Sequence, residues 1–309
     1  MSAVPPPMRM NGMEILLLVV LSLVWGGSFI FAEVALQDLP PLTVVFLRVG
    51  LGALAMLVIV LAMGRALPTT MAQWALLAAM ALLNNVIPFS LIVWGQTQIT
   101  ASLASILNAT TPMFALVIAH LFTADERLSR NKVFGVLLGF AGVGVLVGPA
   151  ALAGSTSLAG QIAILGAACS YGFASVWGKR LRGLDPMTLA AGQLVASSVI
   201  LAPLTLIVDQ PWTLAVPSAA VVWSVLGLAI FSTALAYIMF FRILREVGAI
   251  NVSLVTLLIP LSAIAMGVAF FGEPIVARQV FGALVIGAGL LVIDGRVLTL
   301  ARRPTSIGT

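Results

Sequence analysis

Charge is what this chain has least of. Asp, Glu, Lys and Arg make up 8% of its 309 residues, against roughly a quarter in a soluble domain. A chain that is 61% apolar, with mean hydropathy +1.17, cannot cover itself with polar surface. Lipid must be its solvent. Cysteine is nearly missing too. The single Cys169 lies inside an apolar run, which excludes an internal disulfide and a thiolate metal cluster. It reads as a small buried apolar residue. The single histidine, His120, stands beside a charged loop and reads as structural, with proton coupling through it as the other reading. There is no Walker motif, no dinucleotide fingerprint and no extramembrane stretch of domain size, so ATP does not drive this chain and no cofactor is implied. No paired carboxylates, His/Cys cluster or nucleophile–base constellation is legible at one membrane depth, which argues against an enzyme. No repeated filter sequence suggests an ion channel. The pI near 10.3 does not imply nucleic acid, because the basic residues sit in short loops between apolar runs.

What is present is a series of apolar runs. A membrane helix needs about 20 such residues. Residues 1–13 are rich in Pro and Met and read as a loose N-terminus. The uncharged run from Ile15 to Ala32 is longer than a signal-peptide core. Spans are expected at 14–34, 42–63, 72–94, 100–122, 132–149, 158–178, 186–208, 218–241, 248–271 and 276–295, with a tail at 298–309. Two breaks come without charge, near Gly95–Ile99 and across Gly148-Pro149 to Gly154-Ser155. Arg48 lies inside the second span and Arg278 faces the side opposite the N-terminus. Every other basic residue falls on the N-terminal side. The positive-inside rule then makes both termini cytoplasmic. The predicted fold class is an all-α integral membrane protein of ten transmembrane helices.

The chain also repeats itself. A shift of 146 lays Trp25-Gly26 on Tyr171-Gly172. A shift of 148 lays Ser105 on Ser253, Pro112 on Pro260 and Asp125 on Glu273. The halves are 14–149 and 150–297, five spans each. Five is odd, so the second half enters the membrane upside down. Transporters of that design place the substrate near the midplane between the repeats, and alternate access by moving one part against another.

Trp25-Gly26 late in span 1, Pro41 and Arg48 in span 2, the Ser-rich helix ending at Pro112, and Phe134-Gly135 to Gly144 resemble the EamA-type unit. So do their partners around Pro260, Gly272-Glu273 and Phe281-Gly282. Over about residues 14–297 the chain resembles the drug/metabolite transporter superfamily. The resemblance implies export of small metabolites across the inner membrane, with amino-acid exporters as the favoured subgroup. Two positions depart from a strict repeat: Gln193 stands near the place of Arg48, and Tyr171 replaces the tryptophan.

The candidate substrate residues follow from polarity inside apolar runs. Ser105, Asn108 and Pro112 share one helical face, as do Ser253, Thr256 and Pro260. Each proline removes a helix bond and frees the carbonyl four residues earlier. Both stretches therefore read as kinks lining a wet cavity, with Pro112 and Pro260 as hinges. Packed kinks with self-bonded hydroxyls are the alternative. Asn84 and Asn85 in span 3 and Tyr237 in span 8 read as cavity-lining, or else as helix-to-helix glue. Trp25 and Tyr171 read as flanking aromatics, or as an interfacial belt. Arg48 is expected to pair with Glu33, and Gln96 to sit at the interface. Gly135-x-x-x-Gly139 and the glycines of span 10 suggest scaffold helices. The expected lining, amides, hydroxyls and aromatics with almost no fixed charge, suits a neutral or zwitterionic amino-acid-like solute. Export of drugs or other metabolites and an uncoupled facilitator remain the alternatives, with an intramembrane enzyme the weakest of them. The partners implied are that small molecule and the bilayer.

Overall fold

The computed structural model describes residues 11–124, 128–152, 157–252 and 254–294. The extreme N-terminus, the C-terminal tail, Asp125, the Gly154-Ser155 break and Ser253 lie outside them. The structure is 84% helical, with no strand among the described residues. Ten helices carry the fold: α1 Gly12–Ala35, α2 Pro41–Ala62, α3 Met71–Gln96, α4 Ala101–Phe122, α5 Arg130–Leu152, α6 Leu158–Leu181, α7 Pro186–Val208, α8 Ala219–Gly248, α9 Val255–Phe271 and α10 Ala277–Asp294. Eight meet the length and hydropathy of a membrane crossing, and α9 and α10 are shorter.

Local chemistry sets most helix starts. Asn11 and Glu14 form a reciprocal capping box on α1, and Thr70 and Gln73 do so on α3. Pro41 and Pro186 occupy first-turn positions of α2 and α7, where the missing N–H costs nothing. Gly272, at φ 63°, ends α9 in the left-handed conformation. Two expectations need correction. Helix α5 does not stop at Gly148-Pro149 but runs to Leu152, because a proline near a membrane-helix end is tolerated where neighbours re-satisfy the backbone. Helix α8 runs to Gly248, well past 241. Gly248, at φ 78°, then turns the chain without an intervening loop.

The repeats interlock. Helix α1 packs on α9 and α6 on α4, each joining one repeat to the other, while α2 packs on α7 and α5 on α10. The aromatic-glycine motifs explain the first two contacts. A Cβ on Gly26 would stand 3.0 Å from Ala263 N, and one on Gly172 would stand 3.0 Å from the Phe114 carbonyl carbon. Only glycine lets those helices touch backbone to backbone. The α5–α10 seam is tighter still. Cβ atoms on Gly135 and Gly289 would lie 2.7 and 2.6 Å from each other's carbonyl oxygens, and Gly142 meets the Gly282 carbonyl in the same way.

Two apolar cores result, each drawn from both repeats. One gathers α1, α4, α5, α6, α9, α10 and the later half of α8. The other gathers the end of α1, α2, the later half of α3, α7 and the start of α8. Tyr171 packs against both.

The seam makes a direct prediction. Gly289→Leu overpacks α5 against α10 and should cost about 1–3 kcal/mol, lowering the unfolding temperature in detergent. Gly144→Leu, with nothing within 4 Å of its Cβ, should leave it unchanged.

Candidate functional site

Two helices widen at matching places. Leu82–Val86 of α3 and Gly227–Leu235 of α8 are π-helical, and a shift of 148 lays Asn84-Asn85 on Ser232-Thr233. Such wide turns gather at functional sites because they leave backbone groups re-bonded and side chains re-aimed. In α8, Thr233 Oγ1 donates to Leu228 O, five residues back, at 2.8 Å.

These turns aim a polar network at the boundary between the cores. Asn84 Nδ2 donates to Gln193 Oε1 at 3.2 Å and to the Tyr237 hydroxyl at 3.1 Å. That hydroxyl donates to Asn85 Oδ1 at 3.0 Å. Asn85 Nδ2 donates to Ser197 Oγ at 2.9 Å, and Ser197 donates to Gln193 O at 2.6 Å. Thus α3 of one repeat is laced to α7 and α8 of the other. Asn85 is fully buried and spends both ends of its amide on neighbours, so it acts as interhelical glue. Asn84 and Tyr237 are half-buried and face the open side of the network.

Arg48 joins this network, and the expected pairing with Glu33 does not form. Its Nε donates to Thr233 Oγ1 at 3.1 Å and its guanidinium lies 3.8 Å above the Phe89 ring. It is 6% exposed, about 10 Å into α2 at 1.5 Å per residue. No carboxylate among the described residues pairs with it, and its two terminal nitrogens bond to none of them. Tyr171 packs against both cores, and its hydroxyl bonds to no described residue. Arg48 and Gln193 hold near-equivalent places in the repeats. Each bonds to the wide turn of the other repeat, Arg48 at Thr233 and Gln193 at Asn84.

The other expected residues divide. Trp25 stands at the network's aromatic edge, 5.6 Å from Phe240, which meets Phe241, which stacks on Tyr237. Ser105 is not in the network. It is fully buried and its hydroxyl donates to Ser102 O at 2.7 Å. Asn108 sits where α4 breaks, between Ala101–Asn108 and Thr111–Phe122, and its buried Oδ1 has no donor among the described residues. The carbonyl that Pro112 was expected to free, Asn108 O, accepts from Thr111 Oγ1 at 2.8 Å. A self-bonded kink is what forms there, with Pro112 in the first turn of the following segment. Pro260 lies inside α9 and is buried. Thr256 lies in the first turn of α9, and Ser253 lies outside the described residues. Gln96 is 7% exposed and donates to Phe29 O at 2.8 Å, so it ties α3 to α1. His120 Nδ1 accepts from Leu128 N at 3.4 Å, a local structural bond.

A ten-helix inverted repeat with a polar centre at its boundary defines a membrane transporter. The family comparison agrees. The EamA-like transporter family matches residues 12–148 and again 158–294, and the chain belongs to that family. It is therefore a transporter and not an enzyme. It is 27% identical to the uncharacterized transporter YoaV of Bacillus subtilis, over 91% of this chain and 96% of that one. It is 27% identical to a probable amino-acid metabolite efflux pump of Salmonella typhimurium, over 92% and 94%, and 25% identical to the inner membrane transporter YedA of Escherichia coli, over 91% of each. A crystal structure 19% identical to it shares the fold, at a TM-score of 0.65 over 95% of this chain.

If Asn85 laces the repeats, Asn85→Ala should cost about 1–2 kcal/mol, read as a lower unfolding temperature in detergent. Ser105→Ala, which removes one self-bonded hydroxyl, should lower it by less.

Proposed function

We propose that this transporter exports amino acids or closely similar carboxylates across the inner membrane, by alternating access at the centre defined by Arg48, Asn84, Tyr171 and Tyr237. The observation that carries the reading is Arg48, a buried cation with no counter-ion among the described residues. A charge inside a membrane protein is costly unless something pairs with it. A guanidinium fork is built for a carboxylate. One arginine suits a single carboxylate, whereas a phosphorylated solute would ask for several cations. The aromatic row from Trp25 to Tyr237 suits an apolar or aromatic side chain on the same solute. This revises the uncharged cavity expected from sequence: the solute's carboxylate supplies the missing negative charge. A probable amino-acid metabolite efflux pump among the relatives supports the class.

The face bearing both chain ends is the cytoplasmic one, by the distribution of Lys and Arg. The two apolar cores are the moving bodies. Pro260 in α9 and the break before Pro112 in α4 absorb the change in angle, and lipid is the surrounding partner.

The test is counterflow in liposomes holding the purified protein. Labelled phenylalanine or leucine should enter saturably and faster when unlabelled solute is trapped inside. The corresponding amides, which lack the carboxylate, should not compete. Arg48→Gln should raise KM by about 30-fold or more, the scale of removing one partner of a buried charge pair. Equal transport of acid and amide, or an unchanged KM in Arg48→Gln, would remove this substrate assignment. Pro260→Ala should slow exchange with little change in KM.

A further inference from the structure

A second polar cluster stands at the face opposite the chain ends, and its two acids come from different repeats. No paired carboxylates are legible in the sequence, yet folding brings Glu33, at the end of α1, and Glu273, just beyond α9, to the N-terminus of α4. Glu33 Oε2 accepts from Ala101 N at 3.2 Å and Glu273 Oε2 from Ser102 N at 3.3 Å, while Thr100 caps Leu103 N. The first three amides of α4 are thus held by three different segments. The two carboxylates therefore accept from adjacent amides of one helix end.

The cluster lacks donors. Glu273 is 8% exposed and its Oε1 has no partner among the described residues, and neither has the Ser102 hydroxyl, which is 4% exposed. Both groups lie against Gly267 of α9, where a Cβ would come within 2.7 Å of Ser102 Oγ and 2.8 Å of Glu273 Oε2. Gln96 ties α3 to Phe29 O, one turn before Glu33.

Among the described residues no Lys or Arg makes an ion pair with either carboxylate. On α1 and its connection to α2, the other acids are Glu14, in the first turn at the opposite end of the helix, and Asp38, which accepts from Ser218 N at 2.7 Å. On α2, Arg48 is turned to Thr233. Segments α3 and α4 bring no Asp, Glu, Lys or Arg between Ala66 and Ala124. On α10, Arg278 makes no ion pair with either carboxylate. Two ionised carboxylates at one helix end, one of them buried and the other half-buried, repel, and one proton between them removes the repulsion. A proton needs only a lone pair and a nearby acceptor, and Glu273 Oε1 and the Ser102 hydroxyl offer both. A sodium ion would want about six oxygens.

We propose that Glu33 and Glu273 form a proton-binding latch: one proton held by the pair keeps α1, α4 and α9 together and shuts the face opposite the chain ends. Opening that face separates the acids, wets them and releases the proton. The sign follows from linkage. The closed form binds the extra proton, so acidity at that face favours closure, by up to about tenfold per pH unit. The inference rests on the carrier reading only in that the face opens. It does not depend on which solute is carried.

The test needs no solute. Ser105 lies one turn deeper in α4 and is fully buried. In a Cys169→Ala background, Ser105→Cys is labelled with an impermeant maleimide from the opposite face. The rate is divided by that of the exposed Gln98→Cys, which removes the intrinsic reactivity of the thiol. The ratio should fall about tenfold from pH 8 to pH 5.5. With Glu273→Gln, a permanently neutral side chain, it should stay low at both pH values. A ratio independent of pH, a pH response that survives Glu273→Gln, or the same change produced by sodium at constant pH would overturn the latch. If the cysteine variant does not fold, amide exchange in the unaltered protein decides. Protection at residues 101–103, corrected for intrinsic rate, should rise as pH falls, and a flat profile would overturn the proposal. Failure of amino-acid counterflow would leave both readouts intact.

Discussion

A membrane interior offers no water to an unsatisfied polar group, and nearly everything informative in this structure follows from where that constraint is met and where it is not. Most polar side chains answer it locally. Ser22, Ser28, Ser105, Thr110, Thr111, Ser175 and Ser198 donate to carbonyls three or four residues back. They cost little, and of them Ser22 alone also reaches another helix, at Ser262 Oγ 3.3 Å away. Gln96 reaches across within the first repeat, and others reach between the repeats: Asn84 to Gln193, Asn85 to Ser197, Arg48 to Thr233, Ser232 to Val24 O. The fold is braced along its pseudo-symmetry axis, the boundary that the proposed alternating access would open. Bonds near 3 Å between neutral amides and hydroxyls suit that double duty, being modest in net strength.

Two answers are incomplete. Arg48 has donors to spare and Glu273 Oε1 has an acceptor to spare, at different depths, and they do not satisfy each other. The proposed carboxylate site rests on the first group and the proposed latch on the second.

Periodicity and charge made the helices legible: most predicted edges fall within a few residues of those observed. The inverted repeat was legible because Trp25-Gly26 and Tyr171-Gly172 keep their spacing, and the structure adds the reason, close backbone approach to α9 and α4. Site residues were harder. Asn84, Tyr237, Tyr171 and Trp25 stood out as polar or aromatic groups in apolar runs, and they converge. Ser105 stood out equally and does not, because a serine in a helix can satisfy itself. Arg48 was visible, but its neighbours were not. Nearness along the chain favoured Glu33, whereas the contact is with Thr233, whose aim depends on a wide helical turn that no local pattern announces. The Glu33–Glu273 pair joins residues 240 positions apart and belongs wholly to the tertiary fold.

The glycine seam between α5 and α10 bears on how the protein is made. Each is the last helix of its repeat. The notches at Gly135 and Gly142 are shaped for the backbone of a helix synthesised a whole repeat later. Until α10 inserts, that groove on α5 can be filled only by lipid chains, which fit a bare backbone poorly. Helix α10 therefore acts as a late keystone, and a chain cut short before Ala277 would carry a complete first repeat with its most tightly shaped surface left open.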